Sequence, residues 1–294
     1  MHITTLLNSG HVNISCELFP PKEFTGLNQA TQVVKEIAAL KPSFMSVTYG
    51  AGGNTQAHTL EVSKAIQKAN ITPLFHLTCV NSDVQKVQNT LETLKANGIE
   101  NILALRGDMQ KDSVPSDDFR YASDLIRTIR LSGDFCIGAA CYPEGHPESR
   151  SKNGDLAALK LKVDEGAGFL TSQMFFDNNI FYNFLYRALQ KGINVPILAG
   201  IMPVCNAKQI KRITLLSGAA LPPRFAAIVD RFQDDPAAMQ QAGIAYASEQ
   251  IIDLIANGVN NIHLYTMNRP AIAEAIFKNL SNIIGSSTPC ASTL

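Results

Sequence analysis

Eight times along the chain a short apolar run ending in polar residues is followed by a stretch with apolar residues at helical spacing. Repeated strand–helix units lay helices on a parallel sheet. With eight of them and no long break in composition over 294 residues, the simplest closure is a single α/β domain, a (β/α)8 TIM barrel spanning residues 1–294. Strands are expected at residues 13–19, 43–48, 73–79, 102–105, 135–141, 169–176, 195–201 and 261–265. Helices are expected between them, among them 27–40, 55–69, 119–131, 155–165, 180–190, 207–216, 243–256 and 270–280, with a further one after Asp83 that ends at Asn97-Gly98. In the helix 243–256, Ile244, Ser248, Ile251, Ile252 and Ile255 share one side and read as its inward face. Residues 1–11 read as an N-terminal extension, 222–236 as irregular and 285–294 as a frayed tail. An open doubly wound sheet would usually carry Gly-x-Gly-x-x-Gly after a strand, and neither that motif nor a Walker-type loop occurs.

Charge and cysteine usage narrow the function classes. Lys plus Arg equals Asp plus Glu at 25 each, so there is no basic footprint for nucleic acid. No apolar run approaches the ~20 residues that cross a bilayer, and the N-terminus lacks the basic start and apolar core of a signal peptide. The six cysteines include no Cys-x-x-Cys pair, which favours buried reduced thiols over a metal centre. The expectation is a cytoplasmic protein with no membrane or nucleic-acid partner and no metal.

In barrels of this kind ligands bind beyond the carboxyl ends of the strands, and catalytic groups come from several of them. Those ends carry Glu17, then Thr48 and Tyr49, His76 and Thr78, Arg106 and Asp108, Tyr142, Glu144 and His146, Gln173, and Arg269. Glu17 sits between Cys16 and Leu18, where burial would raise its pKa and suit it to general-acid work. Asp108 is either a site carboxylate or the partner of Arg106 in a structural clamp. His76 reads equally as a hydrogen-bonded core histidine or a ligand contact. Gln173, beside Met174, Phe175 and Phe176, is a buried amide in need of partners, which a heterocycle could supply. Asp155 and Lys162 lie two turns apart on one helix face, as solvated charges or as contacts for a long polar ligand. Gly50-Ala51-Gly52-Gly53 is too short for a phosphate loop and reads as a flexible mouth, and residues 111–118 as a polar loop.

Several segments together resemble the methylenetetrahydrofolate reductase family in its short bacterial form, over residues 12–282. They are Glu17-Leu-Phe-Pro-Pro-Lys, Ser46-Val-Thr-Tyr-Gly-Ala, His76-Leu-Thr-Cys, Leu105-Arg-Gly-Asp, Tyr121-Ala-Ser-Asp-Leu, Tyr142-Pro-Glu-Gly-His-Pro-Glu, Gln173-Met-Phe-Phe-Asp and Tyr265-Thr-Met-Asn-Arg. The resemblance implies a homo-oligomeric flavoenzyme with non-covalent FAD. It passes hydride from NADH or NADPH to the flavin and then to 5,10-methylenetetrahydrofolate by ping-pong kinetics. It implies Glu17 as general acid and Asp108 as a catalytic carboxylate near flavin and pterin. Thr48, His76, Arg106, Gly107, Asp108, Tyr121, Ala122, Tyr142, His146, Ser149, Asp155 and Lys162 are implied as FAD contacts. Glu17, Thr48, Asp108, Gln173, Gln209 and Arg269 are implied as folate contacts. The chain departs from relatives at Ser149 and Leu161, where Ala and Arg occur, at Ile213, where some carry Phe, and at Cys16-Glu17-Leu18 in place of Phe-Glu-Phe. The competing readings are a flavin-independent pterin or one-carbon barrel enzyme and a non-catalytic folate-binding barrel.

Overall fold

The computed structural model describes residues 1–49, 56–80, 82–108 and 118–285. Among them, eight parallel strands close into a barrel in sequence order. They are β1 (Asn13–Leu18), β2 (Met45–Val47), β3 (Pro73–Thr78), β4 (Asn101–Leu105), β5 (Cys136–Cys141), β6 (Phe169–Ser172), β7 (Ile197–Ile201) and β8 (Asn261–Tyr265). The helices are α1 (Ile3–Leu7), α2 (Leu27–Ala38), α3 (Gln56–Lys68), α4 (Val84–Ala96), α5 (Ala122–Ser132) and α6 (Lys152–Glu165), followed by α7 (Asn178–Gln190), α8 (Ala207–Ser217), α9 (Pro223–Phe232), α10 (Pro236–Ala256), α11 (Pro270–Asn279) and α12 (Ser281–Ile284). The expected (β/α)8 architecture is the observed one. No described helix is long and apolar enough to cross a membrane.

Local chemistry places the helix starts. Asp83 caps α4 by accepting from Lys86 N at 2.7 Å, and Ser151 caps α6 by accepting from Gly154 N at 3.1 Å. One layer of core lies between strands and helices, with Val34, Ile66, Leu91, Ile126, Phe181 and Ile276 buried against it. The described cysteines are free thiols, four of them buried, whereas Cys290 lies outside the described residues.

Four expectations about elements need correction. Residues 1–11 are not a loose extension: Ile3 and Leu7 of α1 are buried on Phe44, Leu74, Leu103, Cys136, Phe169 and Leu198 and close the amino end of the barrel. Residues 222–236 are largely the helix α9. Its Pro223, like Pro236 of α10, sits in the first turn, where a missing N–H costs nothing. The third correction concerns Ile252 of α10: Ser248 and Ile251 are buried and Ile244 and Ile255 pack on the core as expected, but Ile252 is 42% exposed. Gly243 and Ala247 are inward as well, and a Cβ at Gly243 would collide with the Val204 carbonyl. Lastly, β2 and β6 are shorter than their apolar runs. The remainder of the sixth run, Phe175 and Phe176, packs outside the barrel against Phe181 and Phe225. The mouth segment 50–53, most of the loop 111–118 and the tail 286–294 lie outside the described residues.

Candidate active site

Strand alternation points residues 15 and 17 of β1 into the barrel, and the register sets Glu17 beside Ser46 of β2 and Tyr265 of β8. The carboxylate is 7% exposed and meets two imidazoles: Oε2 lies 3.6 Å from His263 Nε2 and 3.8 Å from His76 Nε2. The Ser15 hydroxyl donates to Ile262 O at 3.1 Å and so accepts from His263 Nδ1 at 2.7 Å. That pairing assigns the His263 proton to Nδ1 and leaves Nε2 as an acceptor facing Glu17, with the Ser46 hydroxyl 3.4 Å away. The Glu17 carboxyl thus faces a lone pair on His263 Nε2.

His76 is the clearest case of a buried group awaiting a partner. Its Nε2 has no hydrogen-bond partner. Burial lowers its pKa to about 4, outweighing the opposing pull of Glu17. The contact with Glu17 is thus no ion pair at neutral pH. A stability slope follows. Between pH 6.5 and 4 the unfolded chain binds a proton that folded His76 refuses, so stability falls as pH drops through that window and is unaffected above it. The full depression corresponds to about 3 kcal/mol. Chemical unfolding of wild type and His76→Gln from pH 7 to pH 4.5 should show a shallower acid loss in the variant; equal slopes would refute the assignment.

A second group of charges surrounds the ends of β4 and β5. Arg106 forms a bidentate pair with Glu148 at 2.6 and 2.8 Å, so the clamp suggested with Asp108 is instead made with Glu148. Asp108 is exposed, and its charge still acts on Arg106 and helps raise Tyr142 to about 12, after burial as the main cause. The Tyr142 and His146 rings meet edge-on at 4.6 Å. Asp155 and Lys162 are not solvated surface charges. Burial raises the first and lowers the second, each feels the other, and Lys162 Nζ donates to Ala140 O at 2.9 Å. His146 senses both along with Arg106, so α6 brings its polar pair to the mouth of β5. Gly107 has φ +90, and a Cβ there would lie 2.5 Å from Val80 Cγ1, so only glycine lets the chain pass.

The other expected residues are more dispersed. Thr48 donates its N–H to Leu18 O, and its carbonyl accepts from Thr59. Tyr121 is 55% exposed at the start of α5, where its N–H meets Asp124, and Ala122 is buried behind it. Ser149 bonds Ser151 O, and Glu144 accepts from Ala220 N. Gln173 spends its Oε1 on Met174 N at 2.9 Å. Arg269 is exposed and bonds Gln240, in a cleft shared with Ile213, Tyr265 and Met267. Gln209 lies on α8, and its side chain falls outside the described part. Leu161 is 47% exposed on α6. A larger open groove, with Gln56, Asp83, Lys86 and Thr90, runs between α3 and α4 rather than over the strand ends.

Sequence reasoning missed His263, Ser15 and Glu148. Asn261, His263 and Tyr265 alternate on one face of β8, a signal that could have put His263 inside. Nothing local ties Glu148 to Arg106.

A family model described as methylenetetrahydrofolate reductase matches residues 2–281. The chain belongs to the methylenetetrahydrofolate reductase family. Within it, the 5,10-methylenetetrahydrofolate reductase of Escherichia coli is 35% identical over 272 residues, covering 92% of this chain and 91% of that protein. The methylenetetrahydrofolate reductase (NADH) 1 of Zea mays is 38% identical over 290 residues, 93% of this chain but 49% of its own length. The chain thus spans about half the length of the plant relatives it matches. Among solved structures, an uncharacterized Clostridium thermocellum protein described as binding two copies of 5-methyl-5,6,7,8-tetrahydrofolic acid superposes with TM-score 0.64 at 12% identity, covering 97% of this chain and 99% of that one. At that identity the likeness concerns the fold.

Proposed function

We propose that this chain is an oxidoreductase that reduces 5,10-methylenetetrahydrofolate to 5-methyltetrahydrofolate with electrons from NADH or NADPH, using non-covalently held FAD. The observation that carries the reading is Glu17, a carboxyl group buried at the barrel mouth between the Nε2 atoms of His263 and His76, in a family of this activity. A buried acid of this kind can protonate the amine released when the methylene bridge opens, leaving an iminium ready to accept hydride.

The residues present fit a flavin dinucleotide. His76 Nε2 is an orphaned buried polar atom, and Arg106, His146 and Lys162 gather donors around one mouth. Thr48, His76 and Asp108 would hold the ring end; Arg106, Gly107, Tyr121, Ala122, Tyr142, His146, Ser149, Asp155 and Lys162 would hold the ribityl, diphosphate and adenosine end. When bound, FAD supplies hydride acceptance and donation. Gln173, Gln209 and Arg269 would orient the folate from the β6–β8 side, with Arg269 matched to its glutamate carboxylates. One open mouth serving both substrates in turn implies ping-pong kinetics. The Zea mays relative carries NADH in its name, so both nicotinamides are to be compared.

The test is a visible spectrum of the purified protein under anaerobic conditions. A flavin spectrum that bleaches on adding NADH or NADPH and recovers on adding methylenetetrahydrofolate is the expected result. A colourless protein that takes up no added FAD would overturn the proposal and favour a flavin-independent folate barrel.

A further inference from the structure

The loop that follows β8 holds two consecutive non-glycine residues in the left-handed region: Met267 and Asn268 both have φ +53. Side chains disfavour that conformation, and where it persists the surroundings must hold it. The surroundings here are the end of β1. Asn268 Nδ2 donates to Phe19 O at 2.8 Å, and Phe19 N donates to Asn268 Oδ1 at 2.9 Å. The Thr266 hydroxyl donates to Glu17 O at 2.6 Å, and Arg269 N closes the turn onto Thr266 O at 3.0 Å.

The backbone pairing of β1 with β8 ends at Glu17 opposite Tyr265. Beyond that pair the strands part, and the Asn268 amide supplies the next two rungs. A side-chain amide has donor and acceptor on one planar group and can mimic a peptide in this way. Barrel closure does not need these rungs, since the paired residues already run from Asn13 to Glu17. What they tie down is the chain from the Glu17 carbonyl to Phe19, immediately on the carboxyl side of the Cα that aims the Glu17 carboxyl at His263 and His76.

We propose that Asn268, with Thr266, is a positioning residue for Glu17: the strained loop after β8 is maintained because its amide fixes the direction from which the acid reaches substrate. The inference rests on the reading of Glu17 as the general acid. It predicts an effect on one half of the reaction only, because reduction of the flavin by a nicotinamide needs no proton from Glu17. Small misplacements of a catalytic group cost on the order of a hundredfold in rate.

Asn268→Gly separates positioning from stability. Glycine takes φ +53 freely, so the loop keeps its course while both rungs are lost. Three readouts apply to the FAD-loaded protein: melting temperature, hydrogen exchange of the peptide covering residues 17–20, and stopped-flow rates of the two half-reactions. The expected result is an unchanged melting temperature, faster exchange at the Phe19 amide, a roughly ten- to hundredfold lower rate of folate reduction, and flavin reduction by NADH within about threefold of wild type. Thr266→Val, which removes the donor to Glu17 O, should show the same selectivity. Wild-type folate rates in both variants, or equal losses in both half-reactions alongside a lowered melting temperature, overturn the proposal. Glu17→Gln measured in parallel distinguishes the failures. If that variant is inactive with folate and Asn268→Gly is not, only the positioning role falls. If Glu17→Gln reduces folate normally, the acid role falls and takes the positioning role with it.

Discussion

Glu17→Gln should lose folate reduction by about 10²- to 10⁴-fold, the range a positioned general acid contributes, and should still be bleached by NADH. The substitution preserves shape. Glu17 is buried, with the Nε2 atoms of His263 and His76 at 3.6 and 3.8 Å from its carboxyl. A glutamine amide has both a donor and an acceptor to offer these nitrogens, so the pocket stays satisfied and the melting temperature should stay near wild type. What disappears, on the proposed role of Glu17, is the proton delivered to the opening methylene bridge. Flavin reduction asks nothing of that proton, so stopped-flow absorbance should show a normal reductive phase and an absent or very slow reoxidation by methylenetetrahydrofolate. Reoxidation close to the wild-type rate would remove Glu17 from the acid role.

Gly107→Ala is expected to damage fold and site together. Gly107 lies between Arg106 and Asp108 at the end of β4, with φ +90, where an L side chain is strained whatever the space. The space is also missing. The added methyl would sit 2.5 Å from Val80 Cγ1 and 3.2 Å from Thr78 Cβ. Valine is stiff at χ1, and Thr78 belongs to β3, so neither retreats easily. Val80 is tied to this turn as well, through its N–H to Arg106 O at 2.7 Å. Strain of this kind and overpacking together cost about 2–4 kcal/mol, which lowers the melting temperature of a chain this size by roughly 5–15 °C. Because the turn places Arg106 and Asp108, bound flavin should fall too. Thermal unfolding and the ratio of flavin to protein absorbance measure both effects; a variant that melts within a degree or two of wild type and stays fully yellow would sink this account.

Much of the fold was legible because its signals are local. A strand of five apolar residues followed by a helix of three turns announces itself within twenty positions, and eight repeats leave little choice of architecture. The misreadings came where one residue type has two structural meanings. Pro223 and Pro236 look like breakers, yet each opens a helix, and Asp235 before Pro236 caps it by accepting from Ala237 and Ala238 N. Ile252 looks inward by hydrophobicity, yet α10 turns Gly243 and Ala247 to the core, because there the helix backbone must approach Val204. Ile3 and Leu7 carry a helical spacing in a segment too short to signal a helix, and the surface they cover is assembled from five strands and from Phe44 just before β2.

The candidate site divides along the same line. The amino-acid sequence by itself determined which chemical groups stand at the strand ends: Glu17, His76, Arg106, Asp108, Tyr142 and His146 follow from strand length and alternation alone. Only the tertiary structure decided what each group meets. Glu17 faces His263 because barrel closure pairs β1 with β8, residues almost the whole chain apart. Arg106 finds Glu148 rather than Asp108. Lys162 is turned from a surface charge into a half-buried donor on Ala140 O, and Asn268 is drawn into a strained turn by the backbone of Phe19. Periodicity along a chain says which way a side chain points, whereas its partner depends on strand register and closure, which exist only once distant segments are packed together.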